Sequence, residues 1–250
     1  MSYSTMALAI SFVFIPFILS KALNLQLEKD TLISAVRSVI QLLILGYILQ
    51  FVFDADSFLY ILVMILVMIT AAVLNARKKG KNIRGITWKL FITIGVVEIV
   101  TQSILLGFQI IPPTPQYMIP ISGMLIGNSM VLSILFLNRF TAEVEAHEQE
   151  IQLILSLGGT PRQAIHENLM QSIKASMLPV IESQKTIGLV QIPGIMSGQI
   201  IGGADPVVAV QFQIIINFAL LTCATLSSVL LGFLVYPTMF NEKMQKISSK

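Results

Sequence analysis

Few side chains in this sequence can do chemistry, and the ones that can stand alone in apolar surroundings. Glu98 lies in VVEIVTQSIL, with Gln102 four residues on and so on the same helical face. Arg37 and Gln41 repeat that spacing in AVRSVIQLLI. Glu182 and Lys185 are three apart, close enough to pair across one helical turn. Gln191, Gln199 and Asp205 punctuate the stretch that follows, and Asn128 sits in GMLIGNSM. Carboxylate and amide oxygens suit hard cations such as ferric iron. Glu98, Glu182 and Asp205 are the carboxylates on offer, but no His-Cys cluster has metal-ligand spacing, so no metal site is assigned. His147 and His166 fall in one polar loop. The Met64 and Met68 pair reads as packing, as does the lone Cys223, which also excludes an internal disulfide.

These residues need elements to hold them, and composition says in what solvent. Of 250 residues, 55% are hydrophobic and 12% charged, with mean hydropathy +0.82. Soluble domains carry about 25% charged residues. The sequence therefore reads as an all-α polytopic membrane protein, a single transmembrane domain over 1–250. A crossing helix needs roughly 20 apolar residues. Seven segments are expected: about 3–20, 31–53, 58–76, 88–111, 118–138, 180–201 and 206–236. The first has no basic residues ahead of it and reads as a retained span.

Lysine and arginine set the expected orientation. ARKKGKNIRGITWK holds Arg77, Lys78, Lys79, Lys81, Arg84 and Lys89 and no acid. Lys21, Lys29, Arg139, Arg162, Lys174 and the tail residues Lys243, Lys246 and Lys250 fall on the same side. Asp54, Asp56, Asp205 and the neutral PPTPQY fall on the other. An odd number of spans follows, in a cell membrane, with the N-terminus outside and the C-terminus in the cytoplasm. The basic segment reads as this orientation signal, not as a nucleic-acid patch.

The longest polar loop, about 139–179, is then cytoplasmic. In it a helix with one weakly apolar face ends at Gly158 and Gly159. Thr160 reads as an N-cap, Pro161 as the first helical residue and Gln163 as the reciprocal capping-box partner. Ile165, Leu169, Ile173 and Met177 form a stripe. Two uses fit it: resting on lipid headgroups, or serving as a docking helix that passes on motion from a soluble partner. In the spans, Gly123 and Gly127 suit close helix contact. Pro193 and Gly194 should kink or break the sixth span, and Gly198, Gly202 and Gly203 should loosen its outer end. Broken helices in transporters expose backbone to cargo. Arg37, Gln41, Glu98, Gln102, Asn128, Glu182, Gln191, Gln199 and Asp205 are accordingly the expected substrate path. An Arg37–Glu98 ion pair is a second use for those two residues.

SLGGTPRQAI and the later MLP resemble the cytoplasmic coupling loop of ABC-transporter permeases, although the Glu-Ala-Ala triplet of that motif is absent. AVRSVIQLLILGYIL (35–49), GMLIGNSM (123–130), ILSLGGTP (154–161) and IPGIMSGQIIGGADPVVAVQFQI (192–214) together resemble the FetB (YbbM) family of ABC permeases, which is associated with iron export and has plant relatives linked to aluminium tolerance. The resemblance implies a transport subunit without enzymatic activity of its own. It has no phosphate loop G-x-x-x-x-G-K-[ST]. ATP and magnesium would be bound by a separate ATPase seated under 141–178, touching Leu157, Gly158, Gly159, Thr160, Pro161, Arg162, Ile165 and His166. Two copies of the permease would serve two ATPases, and the chain itself would bind no cofactor. The readings from other classes are a proton-coupled secondary carrier using Glu98 and a seven-span receptor. The receptor lacks any external ligand domain.

Overall fold

The computed structural model describes residues 11–55, 57–81 and 83–240. Asp56, Lys243, Lys246, Lys250 and the first half of the 3–20 segment lie outside them. The described residues are helical, and none of them forms a strand. The chain divides into two compact units, Met1–Ser57 and Phe58–Lys250.

In the first unit, α1 (Ser11–Ala22) packs along α2 (Glu28–Ala55). The turn between them is held by Ser20, whose hydroxyl donates to Glu28 Oε1 at 2.9 Å and accepts from Leu27 N at 3.1 Å. Asn24 and Gln26 carry positive φ in this turn.

The second unit is a bundle of α3 (Phe58–Ala76), α4 (Ile86–Gly107), α5 (Pro115–Ala146), α6 (Glu148–Ser156), α7 (Pro161–Thr186), α8 (Gly194–Ile201) and α9 (Pro206–Val235). Helix α9 packs on α4, α5, α7 and α8, and α5 packs on α3, α4 and α7. Two apolar cores result. One gathers Phe136, Phe140, Ile151, Ile165, Leu169, Leu231 and Val235 where α5, α6, α7 and α9 meet. The other gathers Val97, Leu105, Leu125, Ile216 and Cys223 between α4, α5 and α9. Their outer faces stay apolar: Leu66 on α3 and Phe218 on α9 are over half exposed. That pattern fits a bilayer solvent, because lipid covers apolar side chains without cost.

Five helices among the described residues are long and apolar enough to cross a membrane: Glu28–Asp54, Phe58–Lys79, Ile86–Gly107, Pro115–Ala146 and Pro206–Met239. The expected sixth segment, 180–201, is not one helix. Helix α7 runs through Pro179 to Thr186, so the chain makes no fresh entry after that proline. Residues 187–193 are then non-helical, with Gly188 at φ 85°. Pro193 stands as N-cap of the short α8, so the expected break at Pro193 and Gly194 is present. Helix α8 ends in a Schellman turn: Ala204 N donates to Gln199 O, Gly203 N to Ile200 O, and Gly203 has φ 93°.

Two further boundaries differ from the expectation. The fifth segment does not stop near 138 but continues to Ala146, since Arg139 and Glu143 bond one turn apart at 2.6 Å and Glu143 also meets His147 at 3.4 Å. The polar helix expected over 142–157 is split at His147, which caps α5 and precedes α6.

Candidate functional site: an interhelical elbow and a buried polar cluster

The α6–α7 elbow is built from local rules that the sequence displays. Gly158, at φ 87°, donates to Leu155 O at 3.1 Å, and Gly159 donates to Ile154 O at 2.9 Å, completing a second Schellman turn. A Cβ on Gly159 would lie 2.6 Å from Ile154 Cγ2 and 2.8 Å from its carbonyl oxygen, so only glycine fits. Thr160 then starts α7. Its hydroxyl accepts from Gln163 N at 3.3 Å, and Gln163 Oε1 accepts from Thr160 N at 2.8 Å. Pro161 occupies the first helical turn, where a missing N–H costs nothing. Replacing Thr160 with alanine should cost about 1 kcal/mol of stability, readable as a lowered melting temperature of the purified chain.

The stripe Ile165, Leu169, Ile173 and Met177 does not rest on headgroups. Ile165 and Leu169 are almost fully buried and join Phe136, Phe140 and Leu231 in the bundle core. Gly232 of α9 lets this happen: a Cβ there would meet Leu169, Ile173 and Phe136 at 3.1–3.3 Å. The opposite side of the elbow is open. Arg162 and His166 are exposed, as are Leu153 and Leu157, the latter at 79%. The elbow is thus a rigid, partly apolar knob bolted to α5 and α9.

The second cluster is inside the bundle. Glu98 is 4% and Gln102 7% exposed, one turn apart on α4. Ser122 of α5 is fully buried beside them. Gln102 Nε2 donates to Ser122 Oγ at 2.7 Å. Neither Glu98 oxygen, nor Gln102 Oε1, has a hydrogen-bond partner. Glu98 takes part in no ion pair among the described residues.

Other expected path residues stand elsewhere. Arg37 and Gln41 line a shallow apolar groove on α2 in the first unit. Asn128 faces a cavity of ≈ 490 Å³ between α5 and α7, with Gly127, Ser183 and Gln184. Glu182 pairs with Lys185 at 2.7 Å on the surface. Gln191 accepts from Ser183 Oγ at 3.2 Å. Gln199 lies half-buried on α8. Asp205 caps α9, accepting from Val207 N and Val208 N at 2.8 and 3.3 Å. Glu98, Glu182 and Asp205 are therefore not gathered, and no group of three or more His, Cys, Asp or Glu among the described residues could hold a metal.

Sequence reasoning passed over several buried polar residues. Gln213 donates to Asn217 at 2.8 Å inside α9, and its Oε1 is unpartnered. Their fourfold spacing within an apolar run was the same signal that marked Glu98 and Gln102. Ser129 and Ser227 bond at 2.7 Å, and Ser176 and Ser228 at 2.9 Å, across helix contacts. Serines in apolar helices carry no such signal, because partners appear only once helices pack.

The fold and these features define an all-helical, multi-pass membrane protein. Comparison places it more narrowly. A model described as "Uncharacterised protein family (UPF0014)" matches residues 3–240, and the chain belongs to that family. It is 51% identical over 245 residues to UPF0014 membrane protein YjkA of Bacillus subtilis (strain 168), covering 98% of each chain. It is 39% identical over 243 residues to the "Probable iron export permease protein FetB" of Escherichia coli (strain K12), covering 97% of this chain and 94% of that one. It is 33% identical over 239 residues to "Protein ALUMINUM SENSITIVE 3" of Arabidopsis thaliana, covering 96% and 88%. No solved structure matches it.

Proposed function

We propose that this chain is the membrane permease subunit of an ATP-driven transporter that exports iron or another metal ion. The observation that carries the reading is the elbow: a stiff, exposed, partly apolar turn whose buried side is continuous with the bundle core. A partner pushing on Leu153, Leu157, Arg162 and His166 would move α7, and with it α5 and α9. The kinship to a relative named as an iron export permease supports the transport role and suggests the cargo.

In this reading a separate ATPase binds ATP and magnesium and docks on 141–178. Two copies of the chain sit on two ATPases in the cell membrane, with the N-terminus outside and the C-terminus in the cytoplasm. ATP closes the ATPases, the elbows approach each other, and the bundles alternate between inward and outward access. The chain catalyses no reaction.

The test is gentle purification from native membranes. A stoichiometric subunit with a phosphate loop and ATPase activity is the expected companion, lost when Gly158–Pro161 is disrupted. A chain that purifies alone, without ATPase activity, sinks the proposal. The buried, unpartnered Glu98 favours one other reading, a proton-coupled carrier. That carrier would move cargo into sealed vesicles without ATP.

A further inference from the structure

We infer that Glu98, Gln102 and Ser122 form a closed site for one small, oxygen-seeking cation in the middle of the bundle. The buried oxygens left without a partner there are both of Glu98 and Oε1 of Gln102, against one hydroxyl hydrogen on Ser122. The one amide donor beside Glu98, Gln102 Nε2, gives its bond to Ser122 Oγ at 2.7 Å, which draws the three side chains into one cluster. An anion or a neutral donor-seeking ligand would need the reverse arrangement. A carboxylate this deep in a span, 4% exposed and without a cationic partner among the described residues of its own bundle, is costly unless a proton neutralises it or a cation offsets its charge. Carboxylate, amide and hydroxyl oxygens together are a hard donor set.

The same geometry argues against a soft ion. Cys223 is the one thiol in the adjoining core, and it donates to Leu125 O at 3.3 Å. The site is also shut. Glu98 lines none of the three main recesses, one of which opens between α4 and α9 with Thr101, Ile104, Leu105, Phe218 and Thr222 in its wall. Loading therefore requires α4, α5 and α9 to part. Two of those helices, α5 and α9, carry the elbow core. The purpose of the site rests on the transport reading above, as the place where cargo is held between the two sides, but its test does not.

The test is Mn²⁺ binding to the purified full-length chain in lipid nanodiscs, read by electron paramagnetic resonance without ATP or ATPase. Wild type should show one saturable site. Glu98→Gln keeps the shape, removes the charge, and should weaken binding roughly 10–100-fold while leaving the melting temperature near wild type. Ser122→Ala, a small change that stays buried, should weaken it by roughly tenfold and covers the case in which the first variant does not fold. Asp30→Asn, at an exposed carboxylate of the first unit, should leave it unchanged. No saturable Mn²⁺ in wild type, equal binding by Glu98→Gln, or loss in Asp30→Asn overturns the site. An ATPase that co-purifies with a chain unable to bind Mn²⁺ would overturn this inference alone and leave the permease reading standing.

Discussion

Under the permease reading proposed above, Gly159→Val should strip the chain of a docked ATPase while leaving it in the membrane; that is the expected result of the first substitution to make. The cause is local. A β-carbon at 159 would stand 2.8 Å from the carbonyl oxygen of Ile154, and backbone cannot swing aside as a side-chain tip can. The last turn of α6 must unwind, and both Schellman bonds go with it. Overpacking of this kind costs roughly 1–3 kcal/mol. Spent at a docking surface, that is roughly 5–150-fold in partner affinity. Gly158 is the built-in comparison. It has positive φ but open space around its missing side chain. Asparagine tolerates that left-handed conformation. Gly158→Asn should thus keep the ATPase, and Gly159→Asn should lose it. Co-purified ATPase per mole of chain, measured for all three variants, decides the matter. Equal retention would mean that the elbow is not the docking point.

That the elbow can be argued residue by residue reflects how much of it is local. Thr160, Pro161 and Gln163 declare a helix start, and Gly158 and Gly159 a helix end, because capping depends on neighbours a few positions away. The long apolar runs were legible for the same reason: the segment expected at 58–76 is α3 almost to the residue. The break after Thr186 was legible through Pro193. What stayed hidden depended on distant contacts. Ile165 and Leu169 form a stripe that fits lipid, a partner or a core equally well until Gly232 opens room for it on α9. The run to Ala146 rests on the ladder Arg139–Glu143–His147, whose charges look like a loop in a hydropathy profile. Within the site, Glu98 and Gln102 were visible as polar residues in a span. Ser122 was not, since only the packing of α5 on α4 brings its hydroxyl to Gln102.

The close approach at Gly232 is also where the bundle should fail first. A methyl group there would sit 3.1 Å from Leu169 Cδ1, 3.2 Å from Ile173 Cδ1 and 3.3 Å from Phe136 Cζ, three flexible tips that can yield a few tenths of an ångström. Gly232→Ala should therefore be tolerated. Gly232→Leu cannot be absorbed that way. It must wedge α9 from α7 and α5, at roughly 1–3 kcal/mol or more. The wedge lies between the elbow and the transmembrane core, so on the proposed reading a docked ATPase should still bind while transport falls away from ATP hydrolysis. Leu169→Ala alone leaves a cavity and should cost roughly 2–5 kcal/mol. Combined with Gly232→Leu, the two changes exchange volume across one contact, and the double variant should be more stable than the sum of the singles allows by roughly 0.5–3 kcal/mol. Melting temperatures of the four proteins close the cycle. Strict additivity would show that Gly232 and Leu169 do not press on each other, and would remove the mechanical link through which a push at Leu157 is meant to reach the helices around Glu98.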